Sequence, residues 1–195
     1  MSITSKLSFV ALLGLLCMPA HADWELNNAD SNFYFVTSKA AIISEINSFA
    51  NLTGRISSSG NAILEIDLVS VDTAIDIRNQ RVRDMLFETQ KFPTATISID
   101  IDPAGLSNMA AGTSVIVAEN YNLSLHGIVA ELTTNLRVTK TSSSRIEVQP
   151  AQPIIVGAGQ FNLTAGVEAL REVAGLPSIN PNVVVDFFLV YENDM

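Results

Sequence analysis

Ser124 and His126 are the first residues whose types could do chemistry together, since a hydroxyl beside an imidazole is the pairing that nucleophilic catalysis needs. They sit two apart in Leu123-Ser124-Leu125-His126-Gly127, so on a strand their side chains lie parallel instead of converging as a triad requires. His-Gly between two alternating runs is read as a tight hairpin turn. Asp72 and Asp76 form a carboxylate pair suited in type to acid–base work. Both fall at the start of a helical stretch, where negative charge caps free N–H groups and opposes the helix dipole, and they are read as caps. Arg78, Arg81 and Arg83 have the geometry to grip an anionic headgroup. The same arginines also suit a solvated helix face, with Arg81 pairing Asp84 three residues on. Arg78 lies one turn from Val82, beside the apolar stripe, and is read as partly buried.

Metal chemistry has little to work with. The chain has one cysteine and two histidines, and Cys17 and His21 both fall in what reads as a leader. That leaves His126 as the single nitrogen ligand, too few for a zinc-type site. No Asp-x-Asp-x-Asp-Gly run offers a calcium loop, and Asp100 and Asp102 before Pro103 are read as a solvated strand end. No metal and no cofactor are expected.

The elements that must position these residues alternate with period two. Leu64, Ile66 and Leu68 share a face opposite Glu65 and Asp67. Ala95, Ile97, Ile99 and Ile101 oppose Thr94, Thr96, Ser98 and Asp100. The runs 128–138 and 183–191 alternate in the same way, and further strands are expected at 32–37, 42–56, 113–125 and 145–149. Turn chemistry falls between them at Ser57-Ser58-Ser59-Gly60, Pro103-Ala104-Gly105, Thr141–Ser144 and Pro181-Asn182. Two segments read as helical. Thr73-Ala74-Ile75-Asp76 resembles a capping box ahead of an apolar stripe of Ile75, Val82, Met85 and Leu86. Val167–Ala174 is closed by Gly175 and stopped by Pro177. About eight strands, each with one apolar face and joined by short turns, make a sandwich or an up-and-down barrel, and the aliphatic faces favour an all-β, antiparallel, eight-stranded barrel with one or two short capping helices.

Residues 1–22 have the features of a secretory leader. Lys6 supplies the positive charge, Leu7–Leu16 the apolar run, and Ala20-His21-Ala22 the small-residue cleavage signal. Leu16 is a poor fit to the small residue a lipidation site at Cys17 wants. Cleavage after Ala22 gives an exported chain, residues 23–195, that reads as one domain with no integral membrane segment and no disulfide. The 11 basic and 20 acidic residues give a net charge of −9, which repels phosphate backbones and anionic membrane surfaces and excludes nucleic acid as a partner. Phe33, Phe35, Phe49, Phe87, Phe92, Phe187 and Tyr121 either line a ligand cavity or fill an ordinary core, and both readings stay open.

The residues from Val71 to Ala95 carry a resemblance. Trp24, Leu26, Ser31 and Phe33, then Phe49 and Gly54, lead to Ser70-Val71-Asp72-Thr73, Arg78, Arg83, Phe87 and Phe92-Pro93-x-Ala95. The pattern resumes at Leu123-x-Leu125-His126-Gly127 and runs into the last strand. This set resembles the YceI-like family, exported bacterial proteins with a lipocalin-like barrel that bind polyisoprenoid lipids. Two segments depart from it. Relatives carry Arg-Asp with a nearby His where this chain has Arg78-Asn79-Gln80-Arg81, and an Arg-Ser-Asp-Phe-Gly type segment where Gly159-Gln160-Phe161-Asn162 stands.

The resemblance implies a periplasmic, non-enzymatic carrier of a long apolar lipid, a polyisoprenoid or an isoprenoid quinone. Its lumen would be lined by Phe33, Phe35, Phe49, Phe92, Ile97, Ile99, Leu123, Leu125 and Phe187. A helix over Thr73–Phe87 would cover one end, with Met85 and Phe87 against the tail and Arg78 near the entrance or headgroup. The alternatives are a stress-response or protein-interaction module with a filled barrel and no ligand, and an enzyme acting through Asp72, Asp76, Arg78 or His126. A homodimer is left open.

Overall fold

A computed structural model describes residues 24–193; the expected leader and its cleavage site lie outside them. The period-two faces become strands β1 (Trp24–Leu26), β2 (Asn32–Lys39), β3 (Ile43–Phe49), β4 (Leu52–Ile56), β5 (Asn61–Asp67), β6 (Val71–Asp72) and β7 (Thr94–Asp100). They continue as β8 (Thr113–Leu125), β9 (Ile128–Ser142), β10 (Arg145–Pro150), β11 (Ile154–Gly157) and β12 (Asn182–Glu192). These segments merge into eight staves, because β1–β2, β3–β4, β5–β6 and β10–β11 are each one barrel strand with a local break. Each stave pairs antiparallel with its chain neighbours, and the last closes on the first through β12 with β1 and with β2. The result is a closed eight-stranded antiparallel barrel of up-and-down type.

The breaks have identifiable causes. Residues 42–56 read as one strand, but Ala50 and Asn51 leave the ladder to meet Ser70 on the next stave. Ala50 N–H donates to the Ser70 carbonyl at 3.2 Å, and Asn51 N–H to Ser70 Oγ at 3.0 Å. That contact bends both staves at the same level, beside the 3-10 turn Leu68–Ser70, which Asp67 caps through Val69 N–H. Trp24–Leu26, too short to announce itself by alternation, is the piece that seals β4 to β12.

Three helices close the ends: α1 (Asp76–Arg81), α2 (Pro103–Ser107) and α3 (Thr164–Val173). The chain turns of β2–β3 and β8–β9 lie at the same end as α1 and α3, here the helical end. The turn Ser57–Gly60 and α2 lie at the far end. The helix expected over Thr73–Phe87 is shorter than its pattern. Ile75 occupies the N-cap with no side-chain bond, so the capping box does not form. Asp72 instead accepts from Ala74 N–H at 2.8 Å, while Thr73 Oγ1 donates to Asn79 Oδ1 at 2.5 Å. After Arg81 the helix widens over Val82–Leu86, with Phe87 N–H reaching back five residues to the Val82 carbonyl at 3.0 Å. The Pro103-Ala104-Gly105 break is a helical turn, with Asp102 Oδ1 as its cap on Ala104 N–H and Pro103 in the first position. Asp102 is therefore a cap and not merely a solvated strand end. The expected second helix is present, with Gly175 at φ 62 closing it.

His126-Gly127 is the tight turn that the sequence suggests, with φ of 52 and 76. The imidazole is engaged on both sides, with Nδ1 3.3 Å from the Phe161 carbonyl and Nε2 3.3 Å from Glu88 Oε1. Ser124 lies on the outer face of β8, away from the interior.

Candidate functional site: the barrel lumen

Inward-facing side chains follow from the register. On β2 and β3 they are Phe33, Phe35, Thr37 and Lys39, and then Glu45, Asn47 and Phe49; on β7 to β9 they include Ala95, Ile97, Ile99, Leu123, Leu125, Thr134 and Leu136. Five rings make an aromatic ladder on one side. Phe187 stacks on Phe33 at 5.7 Å, Phe33 meets Phe49 edge-on at 6.1 Å, and Phe49 touches both Phe35 at 5.2 Å and Phe87 at 6.0 Å.

These side chains do not fill the barrel. A cavity of about 610 Å³ occupies the helical end, lined almost wholly by carbon. A second, of about 440 Å³, occupies the far end among Ile56, Leu64, Val117, Ile146, Val148 and Leu189. Both walls include Ile97, Ile99, Leu136 and Phe187, so these four side chains stand between the two chambers. Either volume is in the range of known small-ligand sites.

The upper chamber opens at the helical end. Among its wall residues Ile75, Ile77 and Val173 are also exposed to solvent, which places the mouth between α1 and the end of α3. Its rim is polar. Glu45 Oε2 lies 2.7 Å from Lys39 Nζ and 2.7 Å from Arg78 Nη1. The hydrogen bond from Lys39, helped by the Arg78 charge, holds the Glu45 carboxyl below its ordinary range against a smaller opposing effect of burial. Arg78 also donates from Nη2 to the Thr73 carbonyl, while its Nε is buried with no partner. Arg81 faces the same cavity and does not make the expected pair with Asp84. Asn47, only 4 % exposed, donates to Thr37 Oγ1 at 3.1 Å.

The lower chamber carries one unusual group. Glu119 on β8 faces inward among aliphatics, and burial pushes its carboxyl pKa up. Beside it the wall parts. β7 and β8 pair only from Thr96↔Ser124 to Ser98↔Asn122, and β8 then runs on bonded to β9 alone. Inward-facing Val115 is consequently 41 % exposed. α2 and the residues after it cover the gap, with Leu106 and Met109 on the cavity wall and buried Lys140 donating to the Ser107 carbonyl at 3.3 Å.

Of the residues anticipated as ligand contacts, Phe33, Phe35, Phe49, Arg78, Phe87, Ile97, Ile99, Leu123, Leu125 and Phe187 are on the upper wall. Met85 and Phe92 are not. The widened turn brings Leu86 and Phe87, four and five residues past Val82, round to the lumen and leaves Met85 on the flank. Phe92 meets the His126 ring at a tilt, centroids 4.6 Å apart, and braces the His-Gly turn. Arg81, one of the three arginines considered for an anionic headgroup, is on this wall, whereas Lys39, Glu45, Asn47 and Glu119 were not singled out. Alternation from Phe35 and Phe49 was the signal available, since it puts Lys39 and Glu45 on the inner face. Of the two segments that depart from the relatives' pattern, Arg78 and Arg81 are at the mouth, whereas Phe161 is fully buried.

The lumen can hold a long apolar chain with its polar end among Lys39, Glu45, Arg78 and Arg81. Among the described residues no cluster of His, Cys, Asp and Glu could hold a metal ion, and no helix is long and apolar enough to cross a membrane. No functionally curated protein matches the chain. The chain matches the YceI-like domain over residues 24–191. The structure is similar to a polyisoprenoid-binding domain from Saccharophagus degradans implicated in plant cell wall breakdown, at 40 % identity and TM-score 0.87, covering 88 % of this chain and 98 % of that one. It shares its fold with Burkholderia cenocepacia BcnA at 18 % identity and TM-score 0.66 (85 % and 98 % covered). The Campylobacter jejuni YceI protein is more distant, at 10 % identity and TM-score 0.52 (76 % and 84 % covered). The residue pattern from Val71 to Ala95, the closed barrel and the family match over 24–191 agree: this chain belongs to the YceI-like family.

Proposed function

We propose that this protein holds a long apolar lipid, a polyisoprenoid or the tail of an isoprenoid quinone, inside the barrel, and carries it through the periplasm after the leader is removed. The observation that supports this most is the large apolar chamber opening at a charged rim, with a second apolar chamber behind it. Each buried methylene contributes about 0.8 kcal/mol, so a tail threaded along the lumen binds with few polar contacts. The Saccharophagus degradans relative, described as polyisoprenoid-binding, points the same way.

Binding without chemical conversion of the ligand is the matching role. Ser124 faces outward, His126 braces a turn, and Asp72 is spent on a backbone N–H. The Glu45 carboxylate at the mouth is occupied by two cations and serves as a rim, not as a base. An interaction module with a filled barrel is the other reading, and a void of about 610 Å³ counts against it. The test is organic extraction of purified protein followed by mass spectrometry, together with uptake of added quinone. Isoprenoid in the extract, or stoichiometric uptake, supports the carrier. An empty barrel that also refuses quinone ends it.

A further inference from the structure

Several exposed aliphatic side chains are gathered at one place, others such as Val69, Ile116 and Val129 being scattered. On the outer wall the ladders set Ile155 opposite Val184, Val184 opposite Val36, and Val36 opposite Ile46. Four neighbouring staves thus carry one unbroken aliphatic row, in which Ile155 is 68 % and Ile46 73 % exposed. The row lies just below the β2–β3 hairpin tip, where Ile42 is 87 % exposed, the highest value for any large hydrophobic among the described residues. Single exposed aliphatics need no explanation, but a contiguous set does.

The tip is built at a cost. Ala40 and Ala41 both have left-handed φ, 49 and 61, a conformation unfavourable for a residue with a Cβ. It is tied down by Ala40 N–H to the Ser178 carbonyl at 2.9 Å and by Asn180 N–H to the Ser38 carbonyl at 2.8 Å. The segment it is tied to lines the mouth through Ile179 and Asn180. The exposed row, the tip and the mouth residues Ile75, Ile77 and Val173 therefore all lie toward the helical end, with the hydrogen-bonded Ser38 and Ser44 hydroxyls between the row and the tip. The charge at this end differs from the rest of the molecule. In a chain of net charge −9, Lys39, Arg78 and Arg81 gather here against Glu45, which two of them neutralise, and Asp76. Exposed Glu172 and Asp186 flank Val173 and Val184, so this end is closer to neutral than the chain as a whole.

We propose that this end of the barrel docks onto a phospholipid bilayer. Ile42 and the row through Ile46 would enter the boundary between headgroups and acyl chains, with the rim cations among the phosphates. The lumen then opens directly into the phase where a water-insoluble ligand resides; in this the proposal rests on the lipid-carrier reading. A second copy fits the face less well, because it would oppose two acidic chains and stopper two mouths.

The experiment is co-sedimentation with vesicles of phosphatidylcholine containing a minority of phosphatidylglycerol. The wild type is expected to pellet with vesicles. The double variant Ile42→Asp/Ile46→Asp should lower the bound fraction at least tenfold, since interfacial binding follows apolar area. Ile116→Asp, a control 54 % exposed on the outer face of β8 toward the far end, should leave binding unchanged. Melting curves confirm that all three are folded, and uptake of quinone from detergent micelles should be equal in all three. A wild type that does not pellet, an equal loss from Ile116→Asp, or a dimer that Ile46→Asp dissolves without any vesicle binding would each overturn the proposal. Vesicle binding by a barrel that takes up no lipid would sink the carrier reading and leave the docking face standing.

Discussion

Ile97→Trp places a large ring between the two chambers and should divide ligands by tail length. At about 30 Å³ per carbon-sized group, the volume share of a water, the upper chamber of about 610 Å³ takes roughly twenty such groups and the lower one of about 440 Å³ roughly fifteen. A long isoprenoid must pass the ring of Ile97, Ile99, Leu136 and Phe187 to use the lower chamber, whereas a short one fits above it. At about 0.3 kcal/mol per atom for a sizeable ligand, excluding the lower portion costs about 4 kcal/mol. That is close to a thousandfold in Kd. The assay is calorimetric titration of two quinones with the same headgroup, one short-tailed and one long-tailed. In the wild type the long tail should bind more tightly, and in Ile97→Trp its advantage should vanish while the short tail is little changed. The indole points into open space, so the fold should tolerate it, which thermal melting verifies. Equal affinities in the wild type, or equal weakening of both ligands by Ile97→Trp, would refute the reading that one tail spans both chambers.

Other expectations concern the charged groups, the helix contact and the ligand itself. Burial raises the Glu119 carboxyl above the ordinary carboxylate range, so in the window just above that range the folded state binds more protons than the unfolded one and stability falls as pH rises. Glu119→Gln should therefore gain in Tm over wild type as pH is raised through that window, and a pH-independent difference between the two would contradict the buried placement. Gly→Ala inside a helix normally stabilises by about 1 kcal/mol. At Gly166 a Cβ would lie 2.7 Å from the Met85 carbonyl oxygen and 2.9 Å from Leu86 Cα, so Gly166→Ala should instead destabilise by about 1–2 kcal/mol in denaturant unfolding. Arg78→Met should change stability by less than about 1 kcal/mol, because the pair with Glu45 is partly solvated. It should weaken a headgroup-bearing lipid relative to a plain hydrocarbon of equal length, and calorimetry of both ligands checks this. Stripping lipid from the protein should lower its Tm, and re-adding it should restore a concentration-dependent increase as mass action requires.

The staves were legible because each has one buried face. Thr94–Asp100 alternates without error, and its observed bounds match the pattern nearly residue for residue. The break at Ala50–Asn51 was not legible, since it depends on Ser70 from another stave. The capping box misled because Thr73 and Asp72 found other partners, Asn79 and Ala74, that the local spacing does not announce. Eight of the anticipated wall residues, all on strands, face the lumen for the reason the sequence offers, period two, while Arg78 and Phe87 reach it from α1 and the widened turn. Met85 lies off the wall because the helix widens by one residue at Val82, where the turn packs closely on Gly166 of α3. Of the polar rim only the arginines were anticipated, and Lys39 and Glu45 went unseen for a different reason. Lys39 and Glu45 are in phase with Phe35 and Phe49, but charge on an inward face runs against the usual rule and makes sense only near an opening.

That opening also explains how the fold tolerates its own void. An unrelaxed apolar cavity costs about 24 cal/mol per Å³ by analogy with cavity-creating substitutions. For about 610 Å³ this is on the order of 15 kcal/mol, the whole net stability of a typical domain. A sealed and empty chamber of this size is therefore not a stable design for this chain. Two features reduce the cost. The mouth at Ile75, Ile77 and Val173 admits water, and the aromatic ladder from Phe187 to Phe87 keeps one wall packed against itself whatever occupies the other. The remainder falls when a hydrocarbon fills the space. Eight staves could have been packed shut by exchanging Ala95 or Thr134 for larger side chains on the same inward positions. The chain instead keeps small residues there and uses α1 and α3 to hold the mouth apart, at the close approach of Gly166 to Met85 and Leu86. The segment from Val71 to Ala95 is in this sense a frame for an entrance. Its acidic and hydroxyl residues fix the turn into α1, Arg78 ties it to the β2–β3 hairpin through Glu45, and Phe92 anchors its return on His126.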